Sequence, residues 1–326
     1  MKYITLPNTD LHVSSLCLGG GNFGTAVSET QAFEILDAFL EAGGNIVDTA
    51  NVYCRWVEGL GNCSERIIGK WLKSRNAYNK LTVATKGGHY DMKAPHISRV
   101  NKKDVCADIE ESINTLGIDC LDLYWLHRDN EEIPIEEIVE FMESFVKSGK
   151  IKYYGASNYR LARMERAAIF AAKNRYTGFC AVSNQWSLAS ENKDNPLNND
   201  PSMVSADDEF LAWHKKTKTP LFPYSSTACG FFEKLYRSNP QVKDGILLSD
   251  IDDIDIWDGL KKAFINENNL RTYEKLLELK EIHAVSLYTL SAAYLTSFNE
   301  FDVIPISSVR NTEQLNEFIK ASEIAI

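Results

Sequence analysis

Asp48, Tyr53, Lys86 and His127 bring together a carboxylate, a phenol, an ammonium and an imidazole. Asp48, Lys86 and His127 stand at the carboxyl ends of short apolar runs, NIVD, LTVATK and LDLYWLH, and Tyr53 follows Asp48 by five residues. Runs of this kind carry their last residues inward, where an unpaired charge is expensive, and Asp48 is the obvious partner for Lys86. A phenol with a reference pKa of about 10 becomes a usable acid near neutrality when an ammonium favours its phenolate. Lys86 is therefore expected to lower the pKa of Tyr53, with Asp48 keeping the lysine charged and oriented. His127, one strand further on, is expected to hydrogen-bond a carbonyl oxygen and orient the substrate. Such a set protonates an oxygen that is becoming an alkoxide, as carbonyl reduction by hydride transfer requires. Taken singly, each residue has an ordinary role: a turn or cap for Asp48, a wall for Tyr53, an ion-pair partner for Lys86, a bonded core histidine for His127. The convergence of all four is what points to chemistry.

The elements that must position them alternate between β-branched or aromatic runs and longer segments with apolar residues at helical spacing. Lys2–Thr5 and Leu11–Val13 flank Pro-Asn-Thr-Asp and predict a small opening hairpin. Ser15–Leu18 then predicts a strand followed by the helix SETQAFEILDAFLEAGG, capped by Ser28 with Gln31 and closed by Gly43 and Gly44. The same alternation recurs with strands at 45–50, 81–88, 120–127, 151–158, 179–186, 220–226 and 302–308, each before a helical segment. Eight βα units in 326 residues fit a closed (β/α)8 TIM barrel of class α/β better than an open doubly wound sheet, in one domain spanning 1–326. In a barrel, function collects at the carboxyl ends of the strands. The stretches 187–206 and 227–272, after strands six and seven, exceed ordinary connections and are expected to be long loops covering substrate or cofactor. The acidic run SDIDDIDIWDG within the second reads as a solvated loop.

With 45 acidic and 35 basic side chains the chain carries a formal charge of −10, and 44% of its residues are hydrophobic. This excludes disordered, collagen-like and small disulfide-scaffold classes. It also argues against nucleic-acid or anionic-membrane partners, which need a basic field. The seven cysteines are scattered, with no CxxC pair and no zinc spacing, and read as free thiols in a reducing compartment. MKYITLPNTD has no basic stretch followed by an apolar run, and no segment of about 18 apolar residues occurs, so the expected location is the cytoplasm.

From Leu16 to Lys320 the sequence resembles the aldo-keto reductase superfamily. The segments that carry the resemblance are CLGGGNFG, NIVDTANVY, SERIIGKWL, LTVATKGG, LDLYWLHR, IKYYGASNY, SNQWS, PYSSTACGFF and VIPISSVRNTEQL. The resemblance implies an NADP(H)-dependent oxidoreductase in which Tyr53 gives and takes the proton, Lys86 and Asp48 tune it, and His127 positions a small carbonyl substrate (aldehyde, ketone or sugar-like) or the corresponding alcohol. It further implies that Ser157, Asn158 and Gln185 bond the nicotinamide carboxamide and that Tyr224 stacks on the nicotinamide. Ser225, Thr227, Cys229 and Gly230 would line the pyrophosphate, a role suited to small side chains and backbone amides. Ser308 and Arg310 would meet the adenosine 2′-phosphate, and Gln314 and Glu317 the adenine. The preference for NADP(H) rests mostly on Arg310, whose charge would offset a phosphate dianion on an acidic protein. Where many relatives place an Asn near the adenine this chain has Phe318, which either stacks in place of the amide or leaves the nucleotide more weakly held.

Gly19 to Gly24 fits G-x-G-x-x-G, yet the helical pattern begins only near Ser28, so no helix N-terminus meets a pyrophosphate there. The glycines instead permit a tight strand exit. A second reading stays open: the tetrad is also compatible with an NADP(H)-binding regulatory or sensor protein of little turnover, and ACGFF is similar to relatives that serve as channel subunits. A metal-dependent barrel is disfavoured, since the six histidines form no HxH pair. Trp56, Trp125 and Trp186 are candidate apolar walls, with core packing the ordinary role of Trp125, and Arg55 is the nearest candidate clamp for a substrate anion.

Overall fold

The computed structural model describes residues 1–193, 195–197 and 199–326. Asp194 and Asn198, within the expected loop 187–206, lie outside the described residues. The hairpin β1 (Tyr3–Thr5) and β2 (His12–Ser14) pairs antiparallel, with Tyr3 opposite Ser14. There follow β3 (Cys17–Gly19), α1 (Glu29–Glu41), β4 (Ile46–Asp48), α2 (Cys63–Arg75), β5 (Thr82–Gly87), α3 (Lys102–Leu116), β6 (Leu121–Leu126), α4 (Ile135–Lys147), β7 (Ile151–Ser157), α5 (Leu161–Asn174), β8 (Phe179–Ser183) and α6 (Asp208–Thr217). The last third holds α7 (Phe231–Arg237), the ribbon β9 (Val242–Lys243) and β10 (Ile246–Leu247), α8 (Asp258–Phe264), α9 (Glu267–His283), α10 (Leu287–Thr296), β11 (Ile306–Ser307) and α11 (Thr312–Lys320). Neighbouring strands run parallel in the order β11, β3, β4, β5, β6, β7, β8.

The ring is closed by the segment expected as strand seven. Phe222 N donates to Val182 O at 2.7 Å on one side, while Ile304 N and Ile306 N donate to Leu221 O and Pro223 O at 2.9 and 3.0 Å on the other. Only isolated bridges form there because Pro220 and Pro223 supply no N–H to a ladder. The architecture is the expected α/β barrel. Its interior is filled by Cys17, Ile46, Ala84, Leu123, Trp125, Phe222 and Ile304, and Leu6, Leu11 and Val13 of the hairpin segment join the same apolar cluster, giving the barrel a floor. Ser28 caps α1 through the predicted box with Gln31.

Three expectations are corrected. The stretch 227–272 is not an irregular loop: it contains α7, the β9–β10 ribbon, α8 and the start of α9, packed around Phe231, Phe232, Ile254, Leu260 and Phe264. Helices of seven residues are too short for a legible 3.6 period. The apolar segment expected as one helix near 273–297 is broken at Ala284, which is left-handed at φ 53°, and restarts with Ser286 accepting from Thr289 N. Phe318 is fully buried in the layer between helices and sheet with Leu315 and Ala321, so it does not reach an adenine.

One buried acid ties α2 and β5 together. Glu65 accepts from Thr85 Oγ1 at 2.6 Å and Asn62 Nδ2 at 3.1 Å, and burial raises its carboxyl from 4.5 to about 7 against these bonds. The folded chain therefore binds more protons than the unfolded chain between these two values. The stability that Glu65 contributes is fully present below its unfolded pKa and is lost as pH rises through the folded one, by up to about 3 kcal/mol. Glu65→Gln is expected to flatten this part of the pH dependence. Denaturant midpoints measured across the window for both proteins test it, and parallel curves would contradict it.

Candidate active site

β4 and β5 are adjacent, with Asp48 opposite Ala84, and β5 and β6 pair with Lys86 opposite Trp125. This register delivers Asp48, Lys86 and His127 to one end of the barrel. Lys86 Nζ donates to Asp48 Oδ1, to Thr49 O at 2.9 Å and to Tyr53 Oη at 3.1 Å. Three donor protons thus meet three acceptors, and Lys86 and Asp48 are both 2% exposed. Tyr53 reaches the pair because the chain turns after β4, Asn51 N returning to Lys86 O and Tyr53 N to Ala50 O. His127 closes the set, its ring 5.9 Å from that of Tyr53 at an interplanar angle of 79°.

Burial alone would push the Lys86 ammonium down, but the Asp48 carboxylate and the Tyr53 oxygen outweigh it and hold the lysine above its ordinary value. Burial raises the Asp48 carboxyl against the pull of Lys86. Burial, with the charge of Asp48, also raises the Tyr53 phenol above 10 even though Lys86 and Arg128 pull it down. This corrects the sequence expectation: Lys86 acts in the expected direction, but the desolvation that accompanies its own burial exceeds its effect. His127 is driven well below 6.5 by burial and by the charges of Arg128, His89 and Lys86, so the imidazole is neutral at physiological pH and can donate one N–H.

A cavity of about 490 Å³ runs from Asp48 and Tyr53 to the amino end of α11. Tyr224, Ser225, Thr227, Cys229, Gly230, Ser308, Arg310, Gln314 and Glu317 all line it, so nine of the expected cofactor residues share one groove. Ser225, Ala228, Cys229 and Gly230 have left-handed φ values between 48° and 73°, which curls the segment around the cavity. Ser157, Asn158 and Gln185 are not part of the lining. They lie behind Tyr224, whose hydroxyl donates to Asn158 Oδ1 at 2.6 Å. Asn158 Nδ2 donates to His127 O at 3.1 Å and to Ser157 Oγ at 3.1 Å, and Gln185 Nε2 donates to Glu191. At the far end Gln314 accepts from Arg310 N at 2.9 Å, and Glu317 accepts from Ser286 Oγ.

The glycine run forms no helix terminus: Gly20 N donates to Asp48 O at 2.7 Å, and α1 begins only at Glu29. A Cβ on Gly19 would stand 2.6 Å from Ser308 Oγ, so its glycine allows the strand ends to approach beside the groove.

Sequence reasoning missed a polar cluster beside His127. Arg128 Nη1 donates to His127 O at 2.9 Å, its Nη2 pairs with Asp200 at 3.2 Å, and Tyr90 Oη donates to the same carboxylate oxygen at 2.7 Å. The His89 ring packs edge-on against His127 at 4.8 Å, and burial first, then Arg128, lowers its pKa to about 4. His89 carried a legible signal, since it follows the end of β5; Arg128 directly follows His127, but its partner Asp200 is distant in sequence. Lys234 and Arg237 of α7 also line the groove and were hidden in the stretch read as loop.

Other expectations are redirected. Arg55 pairs with Glu111 of α3 at 2.6 Å and donates to Asn51 O at 2.9 Å, so its charge is neutralised outside the site. Trp186 packs on Tyr294 and Phe298. Trp125 is a core side chain beneath the ion pair, edge-on to Phe222 at 5.3 Å. Trp56 is half exposed at the rim, 6.1 Å from the Tyr53 ring.

Comparison with known proteins places the sequence in one family. The sequence matches the Aldo/keto reductase family over residues 15–326. An oxidoreductase of Bacillus subtilis of uncharacterised activity, YrpG, is 29% identical, the alignment covering 100% of this chain and 92% of that one. A putative aryl-alcohol dehydrogenase of Saccharomyces cerevisiae is 26% identical over 97% of this chain and 81% of its own, and a norsolorinic acid reductase of Emericella nidulans is 26% identical over 95% and 74%. A thermostable aldo-keto reductase solved with the inhibitor epalrestat shares the fold at a TM-score of 0.67 and 23% identity, covering 100% of this chain and 96% of its own. The chain belongs to the aldo/keto reductase family.

Proposed function

We propose that this oxidoreductase uses NADP(H) to interconvert an aromatic aldehyde or ketone and its alcohol, the whole of 1–326 acting as one catalytic domain. The observation that carries the reading is the Tyr53 hydroxyl, 3.1 Å from the buried Lys86 ammonium and on the wall of the groove that runs to Arg310. The groove suits a dinucleotide in chemistry: hydroxyls of Ser225, Thr227 and Ser308, cations of Lys234 and Arg310, and an aromatic ring from Tyr224. In this reading Ser225, Thr227, Cys229 and Gly230 hold the pyrophosphate, Ser308 and Arg310 the 2′-phosphate, and Gln314 and Glu317 the adenine. Ser157, Asn158 and Gln185 hold the carboxamide, with Asn158 exchanging one of its internal hydrogen bonds. When bound, NADPH supplies the hydride.

The rest is the work of the chain itself. Neutral His127 donates to the substrate oxygen and orients it. Tyr53 delivers its proton to that oxygen as negative charge develops, and the resulting phenolate is stabilised by Lys86, which Asp48 holds in place. The raised phenol pKa keeps the proton on Tyr53 until the reaction demands it. Trp56 at the rim offers a flat apolar wall, and the names of the aryl-alcohol and norsolorinic acid relatives support an aromatic substrate. The free thiols of all seven cysteines support a cytoplasmic setting.

A fluorescence titration with NADPH and NADH, followed by a panel of aromatic aldehydes with the reduced nicotinamide monitored by absorbance, tests the reading. NADPH binding with oxidation supports it; binding without oxidation by any carbonyl would favour the regulatory alternative, and no binding of either nucleotide would overturn both. Tyr53→Phe is expected to lower turnover by roughly 10²–10⁴-fold while leaving the NADPH Kd within a few-fold. Unchanged turnover would remove Tyr53 from its role. Arg310→Ala is expected to weaken NADPH by roughly tenfold or more, the scale of a lost charge-assisted hydrogen bond, with NADH nearly unaffected. Equal losses for both nucleotides would make the arginine a structural residue.

A further inference from the structure

The residue that follows Tyr53 is a cysteine with a second cysteine against it. Cys54 adopts a left-handed conformation at φ 75°, uncommon for a side chain with a Cβ, and this turns its fully buried thiol inward to donate to Phe23 O at 3.1 Å. The other thiol is Cys63, the first residue of α2, whose sulfur faces Gly24, the residue directly after the Phe23 carbonyl that Cys54 bonds. Gly24 completes the niche: at φ 88° it carries no Cβ, and one placed there would stand 2.4 Å from Cys63 Sγ. The strand-exit turn and the turn that carries Tyr53 therefore converge on one pair of sulfurs.

The two thiols are not equivalent. Cys63 Sγ accepts from Arg66 Nη2 at 3.1 Å, and it opens a helix whose N-cap Asn62 makes no side-chain cap bond. Cys63 is thus the thiol of the two that meets a guanidinium. Burial and the nearby Cys63 sulfur keep Cys54 protonated. Cys63 is 6% exposed, and Arg66 on its outer side is exposed. The intervening loop is exposed over much of its length and includes Gly59 and Gly61, whose Cβ positions meet nothing within 4 Å, so it can adjust when the sulfurs draw together.

We propose that Cys54 and Cys63 form a peroxide-sensitive dithiol whose closure to a disulfide displaces Tyr53 and switches the site off. The Cys63 thiolate attacks one oxygen of hydrogen peroxide; the O–O bond breaks, the sulfur keeps an OH group as sulfenic acid, and the other oxygen leaves as hydroxide and becomes water on taking a proton. The Cys54 sulfur then attacks the Cys63 sulfur. An S–S bond forms, the S–O bond breaks, and the departing hydroxide takes the Cys54 proton as a second water. Two sulfurs together lose two electrons and one peroxide gains them. An S–S bond of about 2.05 Å draws Cys54 off the Phe23 carbonyl, and its covalent neighbour Tyr53 moves with it, away from its 3.1 Å contact with Lys86.

The test exposes the purified, reduced chain to hydrogen peroxide and reads two quantities. Peptide mapping under non-reducing conditions is expected to recover Cys54 and Cys63 linked, lighter by two hydrogens than the reduced pair. This readout is independent of the proposed reaction. Turnover with NADPH and an aldehyde, which rests on that reaction, is expected to fall by about 10²-fold, the effect of misplacing a catalytic group by about 1 Å, and to return with dithiothreitol. Cys63→Ser, or Cys63→Ala should serine not be tolerated, is expected to keep basal turnover and resist peroxide. Recovery of Cys54 and Cys63 as free thiols after oxidation would overturn the proposal. So would a linked pair with unchanged turnover, or inactivation that persists in the Cys63 variants and maps to Cys229, the exposed thiol of the cofactor groove.

Discussion

An ion pair buried at the mouth of the barrel, Lys86 on Asp48, sets the conditions for everything else in the site. Removing two charges from water is expensive, and the mutual attraction offsets this only where the remaining donors and acceptors are met. For Lys86 they are, by Asp48, the Thr49 carbonyl and the Tyr53 hydroxyl. For Asp48, the Trp125 indole beneath it joins Lys86 in drawing the carboxyl down against its burial. The buried carboxylate thus leans on the lysine, and the lysine leans on the phenol. That dependence couples a structural charge pair to a group that can carry a proton.

Parallel pairing is what makes the arrangement possible. Asp48, Lys86 and His127 come from segments far apart in sequence, and the β4–β5–β6 ladder brings them to one rim. The same rim receives Tyr224 from the segment that closes the ring and Ser308 and Arg310 from beyond β11. Loop 187–206 reaches back over it through Asp200 on Arg128 and through Val204 N on Asn158 Oδ1 at 3.0 Å. Below, the bulk of Trp125 and the apolar fill from the hairpin keep water from the underside of the ion pair.

Much of this was legible in the sequence because local rules and the fold agree. The Ser28–Gln31 box, the inward apolar runs ending in Asp48 and Lys86, and the repeated βα alternation each carry their own physical signature. What was illegible had identifiable causes. Pro220 and Pro223 deprive the closing strand of donors, so it reads as a strand in composition but forms only bridges. α7 and α8 are shorter than the period needed to see them, which hid Lys234 and Arg237. Ala284 breaks an apolar helix with no glycine or proline to announce it. The Arg128–Asp200 pair and the Cys54–Cys63 niche are tertiary facts, invisible to spacing. The sign of the Tyr53 shift was misjudged because sequence reveals the neighbouring charge but not the depth of burial that opposes it.

The most direct test of the account is a single-turnover measurement of nicotinamide oxidation by an aromatic aldehyde in the wild type and in Lys86→Met. Because removing one partner would leave Asp48 charged and buried, the double variant Lys86→Met with Asp48→Asn serves as the control for folding. The account predicts that both variants bind NADPH within a few-fold of the wild type while the oxidation rate falls by roughly 10² or more. A rate equal to that of the wild type in a folded, NADPH-bound variant would contradict it, because the phenol would then be acting without the ammonium.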